Sequence, residues 1–99
     1  MISKRAKACD ITPKVKKIVF QRDGFCCIMC GSPYARPNAH YISRAKGGLG
    51  VPENVVTLCV DCHNKTDQST ERKECLEFIE NYLKSKYKNW DKGNLIYKK

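Results

Sequence analysis

No stretch of this 99-residue chain approaches the roughly 20 consecutive apolar residues of a membrane-spanning helix. Its opening, Met1-Ile2-Ser3-Lys4-Arg5-Ala6-Lys7, lacks the apolar run of a secretion signal. It has no internal repeat, which excludes solenoid and propeller architectures, and its length suits one domain. Acidic residues are scarce, 10 Asp plus Glu against 19 Lys plus Arg, giving a net charge of +9. Histidine is scarcer still, with His40 and His63 alone. What the chain has in excess is cysteine, seven in all.

The basic excess is placed at the two ends. Lys4, Arg5, Lys7, Lys14, Lys16 and Lys17 lie early; Lys84, Lys86, Lys88, Lys92, Lys98 and Lys99 lie late. A balance of this sign suits a polyanionic partner, since each neutralised phosphate releases a condensed counterion. Lysines that serve only solubility would give the same count, so charge alone does not decide.

Cysteine spacing says more. Cys27 and Cys30 form one Cys-x-x-Cys pair, and Cys59 and Cys62 form another, with His63 directly after it. Two thiolates at this spacing grip one tetrahedral metal, most often structural zinc. Four complete the tetrahedron, and closing the loop between them couples metal binding to folding, as a small domain requires. Cys9, Cys26 and Cys75 remain as free thiols. Free thiols without an export signal indicate the reducing cytoplasm, where paired cysteines are metal ligands rather than disulfides.

Local patterns give a coarse map. Residues 1–11 read as a loosely held basic arm. Thr12-Pro13 starts a helix, with Thr as its cap, Val15, Ile18 and Val19 on one face and Asp23-Gly24 as its stop. Phe25 to Gly31 makes the first zinc turn, Gly31 letting the backbone bend after the second thiolate. Asn38 to Arg44 reads as a strand, Lys46-Gly47-Gly48 as a turn, and Val55-Val56-Thr57-Leu58 as a buried strand. A helix from Cys62 carries His63 and Asp67 on one face, at i and i+4. After a break at Ser69 or Thr70, a helix over 71–87 shows an apolar stripe of Cys75, Leu76, Ile79, Tyr82, Leu83 and Tyr87. Leu95-Ile96-Tyr97 reads as a terminal edge strand.

Taken together, the segment from Arg22 to Gln68 resembles the HNH endonuclease family. The residues that carry the resemblance are Arg22-Asp23-Gly24-Phe25-x-Cys27-x-x-Cys30-Gly31, Ala39-His40-Tyr41-Ile42-Ser43-Arg44, Gly47-Gly48 and Glu53-Asn54-Val55-Val56-x-Leu58-Cys59-x-x-Cys62-His63. It is most similar to the small HNH proteins of phages and prophages, to which Asn81-Tyr82-Leu83-Lys84, Trp90 and Ile96-Tyr97-Lys98 are similar as well. The resemblance implies a small zinc-stabilised α+β fold: a treble-clef-like ββα-metal finger with a flanking N-terminal helix and a long C-terminal helix. One domain would then cover 1–99, with the arm at 1–11, the zinc site and core at 12–68, and the C-terminal helix and tail at 69–99.

The same resemblance implies metal-dependent hydrolysis of DNA phosphodiester bonds. His40 would be the general base, a task its near-neutral pKa suits. His63 would hold the catalytic divalent metal, and Asn54 would brace the loop that orients the base. Other readings stay open: His63 as a further zinc ligand beside Cys62, and Asn54 as a turn residue after Pro52. One departure is plain. Many relatives place Asp or His immediately before the base, and this chain has Ala39. Asp67 is the best replacement ligand, or else a solvated helix carboxylate, with Asn38 and Glu53 as weaker candidates. A sparse ligand shell favours Mg²⁺ or Mn²⁺ with water in the open positions. Arg44 and Lys46 would hold phosphates beside the cut, or else line a solvated turn. The implied setting is the cytoplasm of a bacterial host, the partner DNA, and the allowed company phage packaging proteins such as a terminase. A non-catalytic zinc-stabilised nucleic-acid-binding module is the alternative, with Ala39 marking a decayed site.

Overall fold

The computed structural model describes residues 3–98. Met1 and Ile2, part of the expected arm, lie outside them, as does Lys99. Six main elements follow in order: α1 (Lys4–Cys9), α2 (Pro13–Arg22), β1 (Ala35–His40), β2 (Val55–Cys59), α3 (Val60–Gln68) and α4 (Arg72–Lys86). Short 3-10 turns occur at Arg44–Lys46, Pro52–Asn54 and Lys92–Asn94. Strand, loop, strand and helix over β1, β2 and α3 make the expected ββα finger, with α2 and α4 packed around it. No helix among the described residues is long and apolar enough to cross a membrane.

The arm is not loose. Ser3 caps α1 by accepting from the Ala6 N–H, and Cys9 at its far end is 2 % exposed. A six-residue helix is marginal in isolation. This one is held by tertiary contacts that no local pattern announces. Arg5 donates to the Ala45 carbonyl at 3.0 Å, and the Gly50 N–H donates to the Ala8 carbonyl at 3.0 Å.

Thr12 caps α2 as expected, accepting from the Val15 N–H at 3.2 Å, but the buried face is narrower than the apolar pattern suggests. Val19 is fully buried, Val15 half-buried, and Ile18 is 41 % exposed. What anchors the helix is polar. Arg22 and Asp23 form a forked ion pair, Nε to Oδ1 at 2.7 Å and Nη2 to Oδ2 at 3.1 Å. Arg22 also donates to the carbonyls of Pro52 and Val55, each at 2.7 Å, and to the Tyr87 hydroxyl at 3.0 Å. Asp23 accepts from the Thr57 N–H at 2.8 Å and the Tyr82 hydroxyl at 2.6 Å. One pair thus joins α2, β2, the turn before it and α4. Burial works against charge on Arg22, yet its hydrogen bonds and the Asp23 carboxylate outweigh it and raise its pKa. The same carboxylate, together with burial, pushes the Tyr82 hydroxyl well above its ordinary range.

The two strands are antiparallel. Ala35 faces Cys59 and Arg36 faces Leu58; beyond an irregularity, Ala39 faces Val56 and His40 faces Val55. The offset leaves one extra residue on β1 across Pro37-Asn38. Proline has no N–H for the ladder, so a bulge is where a strand tolerates it. Its effect is that Ala39 points into the core, 2 % exposed, and His40 to the opposite face. β1 also ends earlier than the expected 38–44. The Asn54 side chain takes both backbone groups of Ile42, so the chain leaves the ladder there.

The core joins Cys27, Ala39, Val56, Leu58, Cys59, Cys62, Ile79 and Leu83. Helix α4 presents the predicted stripe, with Cys75, Ile79 and Leu83 buried and Leu76, Tyr82 and Tyr87 half-buried. At the C-terminus the expected edge strand reduces to a single bridge between Ile96 and Gly48. Gly47, at φ 84°, turns the partner segment away from extended geometry, so pairing cannot continue.

Removing one member of a buried ion pair strands the other. Asp23→Ala should therefore lower unfolding free energy by roughly 3–5 kcal/mol. Urea denaturation of the zinc-loaded protein measures it; a loss under about 1 kcal/mol, the range of exposed pairs, would show that the network is not a principal tie.

Candidate active site

The first zinc turn folds as its sequence suggests. The Gly31 N–H donates to the Cys27 carbonyl at 2.9 Å, with Gly31 at φ 79°, and the turn is pinned to β2 where the Ile28 N–H donates to the Thr57 carbonyl. The second pair begins at the end of β2. The Cys59 sulfur caps α3 by accepting from the Cys62 N–H at 3.4 Å. The Sγ atoms of Cys27, Cys30, Cys59 and Cys62 all lie within 4.8 Å of one another, and all seven cysteines are free. Cys30 and Cys59 Sγ stand 3.6 Å apart, too far for a disulfide bond of about 2.05 Å. That spacing matches the edge of a tetrahedron whose centre is about 2.3 Å from each sulfur, so the four thiolates fit a structural zinc ion. Burial opposes charge on Cys27, but backbone N–H groups from Cys59, Cys30 and Met29 outweigh it and bring its thiol to about 7.

On the other face of the hairpin, His40 is half-buried. Its Nε2 lies 2.9 Å from the Cys9 carbonyl oxygen. A carbonyl carries no proton, so Nε2–H is the donor and Nδ1 is the free base of the neutral ring. Burial lowers the His40 pKa below its ordinary value; the Cys9 carbonyl opposes this, while charge on Arg44 and His63 adds to it. Asn54 is fully buried and saturated. Its Oδ1 accepts from the Ile42 N–H at 2.8 Å, and its Nδ2 donates to the carbonyls of Ile42 at 3.1 Å and Leu49 at 2.8 Å. It clamps both ends of the loop between the strands. A turn residue would not need that burial.

His63 and Asp67 meet on one face of α3, Nε2 to Oδ2 at 3.8 Å, both substantially exposed. A divalent ion about 2.1 Å from each donor spans that separation, so the pair fits two ligands of one hydrated ion. His63 lines a cleft with Asn38, Arg36 and Tyr34. His40 and Asp67 share a smaller cleft of about 180 Å³ with Lys46, Arg72 and Lys92. On its other side His40 opens to a groove with Asn38, Lys16 and Arg44. Asn38, on the bulge, therefore borders both histidines. Among the described residues, only the four cysteines bring three or more His, Cys, Asp or Glu ligand atoms together.

Residues 27–69 match the family model described as HNH endonuclease. Over that segment the chain is similar to HNH endonucleases. The match takes in the four cysteines, His40, Asn54, His63 and Asp67, and leaves out α1, α2 and α4. No curated protein matches the chain.

Within the matched segment, the departure at Ala39 has a physical basis. That position packs against the core, where a charged ligand would be desolvated. Glu53 belongs elsewhere: its carbonyl accepts from the Trp90 indole at 2.8 Å, and it lines a separate cleft with Trp90 and Leu95. Arg44 and Lys46 both border His40, and Arg44 is tied to Asp10 at 2.6 Å. Sequence reasoning passed over Arg72, Lys92, Asp10 and the Cys9 carbonyl. The first three carry no motif signal, and a backbone carbonyl carries none at all.

Two measurements test this arrangement. Purified protein should hold one zinc per chain by plasma mass spectrometry. Cys30→Ala, which removes an exposed side chain and so little packing, should lose both the zinc and cooperative unfolding. Asn54→Ala strands three half-buried backbone groups and should destabilise the zinc-loaded protein by roughly 3 kcal/mol in urea. Unchanged stability would remove its bracing role.

Proposed function

We propose that this chain is a metal-dependent HNH endonuclease that nicks or cuts DNA by phosphodiester hydrolysis. The observation that carries the reading is the His40 ring, held by one nitrogen and free at the other, beside Asp67 and the basic side chains of Lys46, Arg72 and Lys92. Nδ1 of His40 takes a proton from the attacking water. Asn54 keeps the loop, and with it the ring, in place. His63 and Asp67, with Asn38 at the rim of the cleft, hold a divalent ion such as Mg²⁺ or Mn²⁺. When bound, that ion supplies Lewis-acid stabilisation of charge on the phosphate and the leaving oxygen. Arg44 and Lys46 grip flanking phosphates, which positions the duplex without reading its sequence. Each chain has one such centre and so cleaves one strand per event.

Supercoiled-plasmid cleavage with EDTA, Mg²⁺ or Mn²⁺ tests the reading. Wild type should nick only with metal, and His40→Ala should lose on the order of 100-fold or more while staying folded and zinc-loaded. Ala39 in place of a ligand favours a non-catalytic DNA-binding module. Salt-sensitive binding without cleavage under any metal would establish that module instead. The acid limb of the rate follows from the lowered His40 pKa. The neutral base is available above that pKa, so activity should rise with pH through a midpoint below 6.5 and level off by neutrality. A midpoint above 6.5 would argue against His40.

The likeness to small phage HNH proteins and the limited footprint of one domain are the grounds for a partnership with packaging proteins such as a terminase. Nicking accelerated by the terminase of the same genome would support that extension; an unchanged rate would remove it. The three thiols outside the zinc cluster, all free, suit a reducing bacterial cytoplasm.

A further inference from the structure

The contact that fixes the His40 ring comes from outside the HNH segment. Cys9 is the last residue of α1, and its carbonyl is the acceptor for Nε2. The carbonyl stands at the C-terminal end of the helix, where the peptide dipoles place partial negative charge. Four contacts seat the helix: the Ala8 carbonyl on the Gly50 N–H, Arg5 on the Ala45 carbonyl, Asp10 on Arg44 at 2.6 Å, and the burial of Cys9 itself. The approach to Gly50 leaves no space. A Cβ there would overlap the Asp10 carbonyl oxygen and come within 3.0 Å of the Cys9 carbonyl oxygen.

We infer that α1 is a positioning element of the active site, and that Gly50 is the seat whose missing side chain lets the Cys9 carbonyl hold His40 in its Nε2–H tautomer. The inference rests on His40 as the general base, and it extends the functional unit upstream to residues that the HNH match leaves out. Gly50 stands in the loop that Asn54 clamps, so one loop serves both the base and its orienter. Without α1 in place, Nδ1–H competes with Nε2–H, and a ring protonated at Nδ1 offers the water no base.

The test is the tautomer of His40, read by long-range proton–nitrogen correlation on histidine labelled with nitrogen-15, in the full zinc-loaded chain. Wild type should show one neutral form, Nε2–H. Gly50→Ala should give a mixture of tautomers, with kcat down about tenfold and KM within about twofold. Should Gly50→Ala fail to fold, the double variant Arg5→Ala, Asp10→Ala decides. It removes two ties without touching the loop, and faster amide exchange at Cys9 would show that α1 has been released. A single unchanged Nε2–H tautomer in a folded Gly50→Ala, or in the double variant with α1 released, would overturn the inference. A mixed tautomer in a protein that cleaves nothing would sustain the positioning role and defeat the nuclease reading instead.

Discussion

Four sulfur atoms decide where the other elements can go. Cys27 and Cys30 leave the turn after α2; Cys59 ends β2 and caps α3; Cys62 lies within the first turn of α3. Three of these thiols are also buried members of the apolar core, beside Val56, Leu58, Ile79 and Leu83. The metal site and the core are therefore one object. In a chain this small, apolar burial alone leaves a narrow margin over conformational entropy. Bringing the two cysteine pairs together fixes the end of β2 and the start of α3, and that junction sets the direction in which His63 and Asp67 project.

Polar ties extend this constraint outward. The ion pair of Arg22 and Asp23 reaches α2, β2, the turn at Pro52–Asn54 and α4, using charge-assisted bonds between 2.6 and 3.1 Å. Asn54 fastens the loop between the strands, and Glu80 fastens α4 to the hairpin through Tyr41 while pairing with Lys84 and Lys92. Those partners, Tyr41 first, bring the Glu80 carboxyl down to about 2. Each device replaces apolar area with a few directional bonds. Such bonds are costly to break singly, because the surviving partner is left desolvated.

The face proposed as catalytic combines opposite requirements. In the proposed role of base His40 must stay neutral, and burial together with nearby positive charge favours the neutral ring. The proposed grip on phosphates would need positive charge close by, and Lys46, Arg72 and Lys92 lie on one side with Lys16 and Arg44 on the other. The same cations thus serve both ends. The bulge at Pro37-Asn38 is what turns His40 toward them while Ala39 fills the core.

Spacing by itself determined the four-cysteine site, because two Cys-x-x-Cys pairs leave few chemically sensible alternatives. It also determined the joint placement of His63 and Asp67, since four residues make about one helical turn. The Thr12 cap, the stop at Asp23, the buried strand at 55–59 and the stripe on α4 were legible for the same reason: each depends on near neighbours in the chain. Tertiary structure alone decided the rest. The bulge that separates Ala39 from His40, the four-element reach of Arg22, and the docking of Cys9 on a ring 31 residues away all depend on surfaces that meet only after folding. Backbone carbonyls are identical in every residue, so no sequence pattern could name the one that holds the His40 ring.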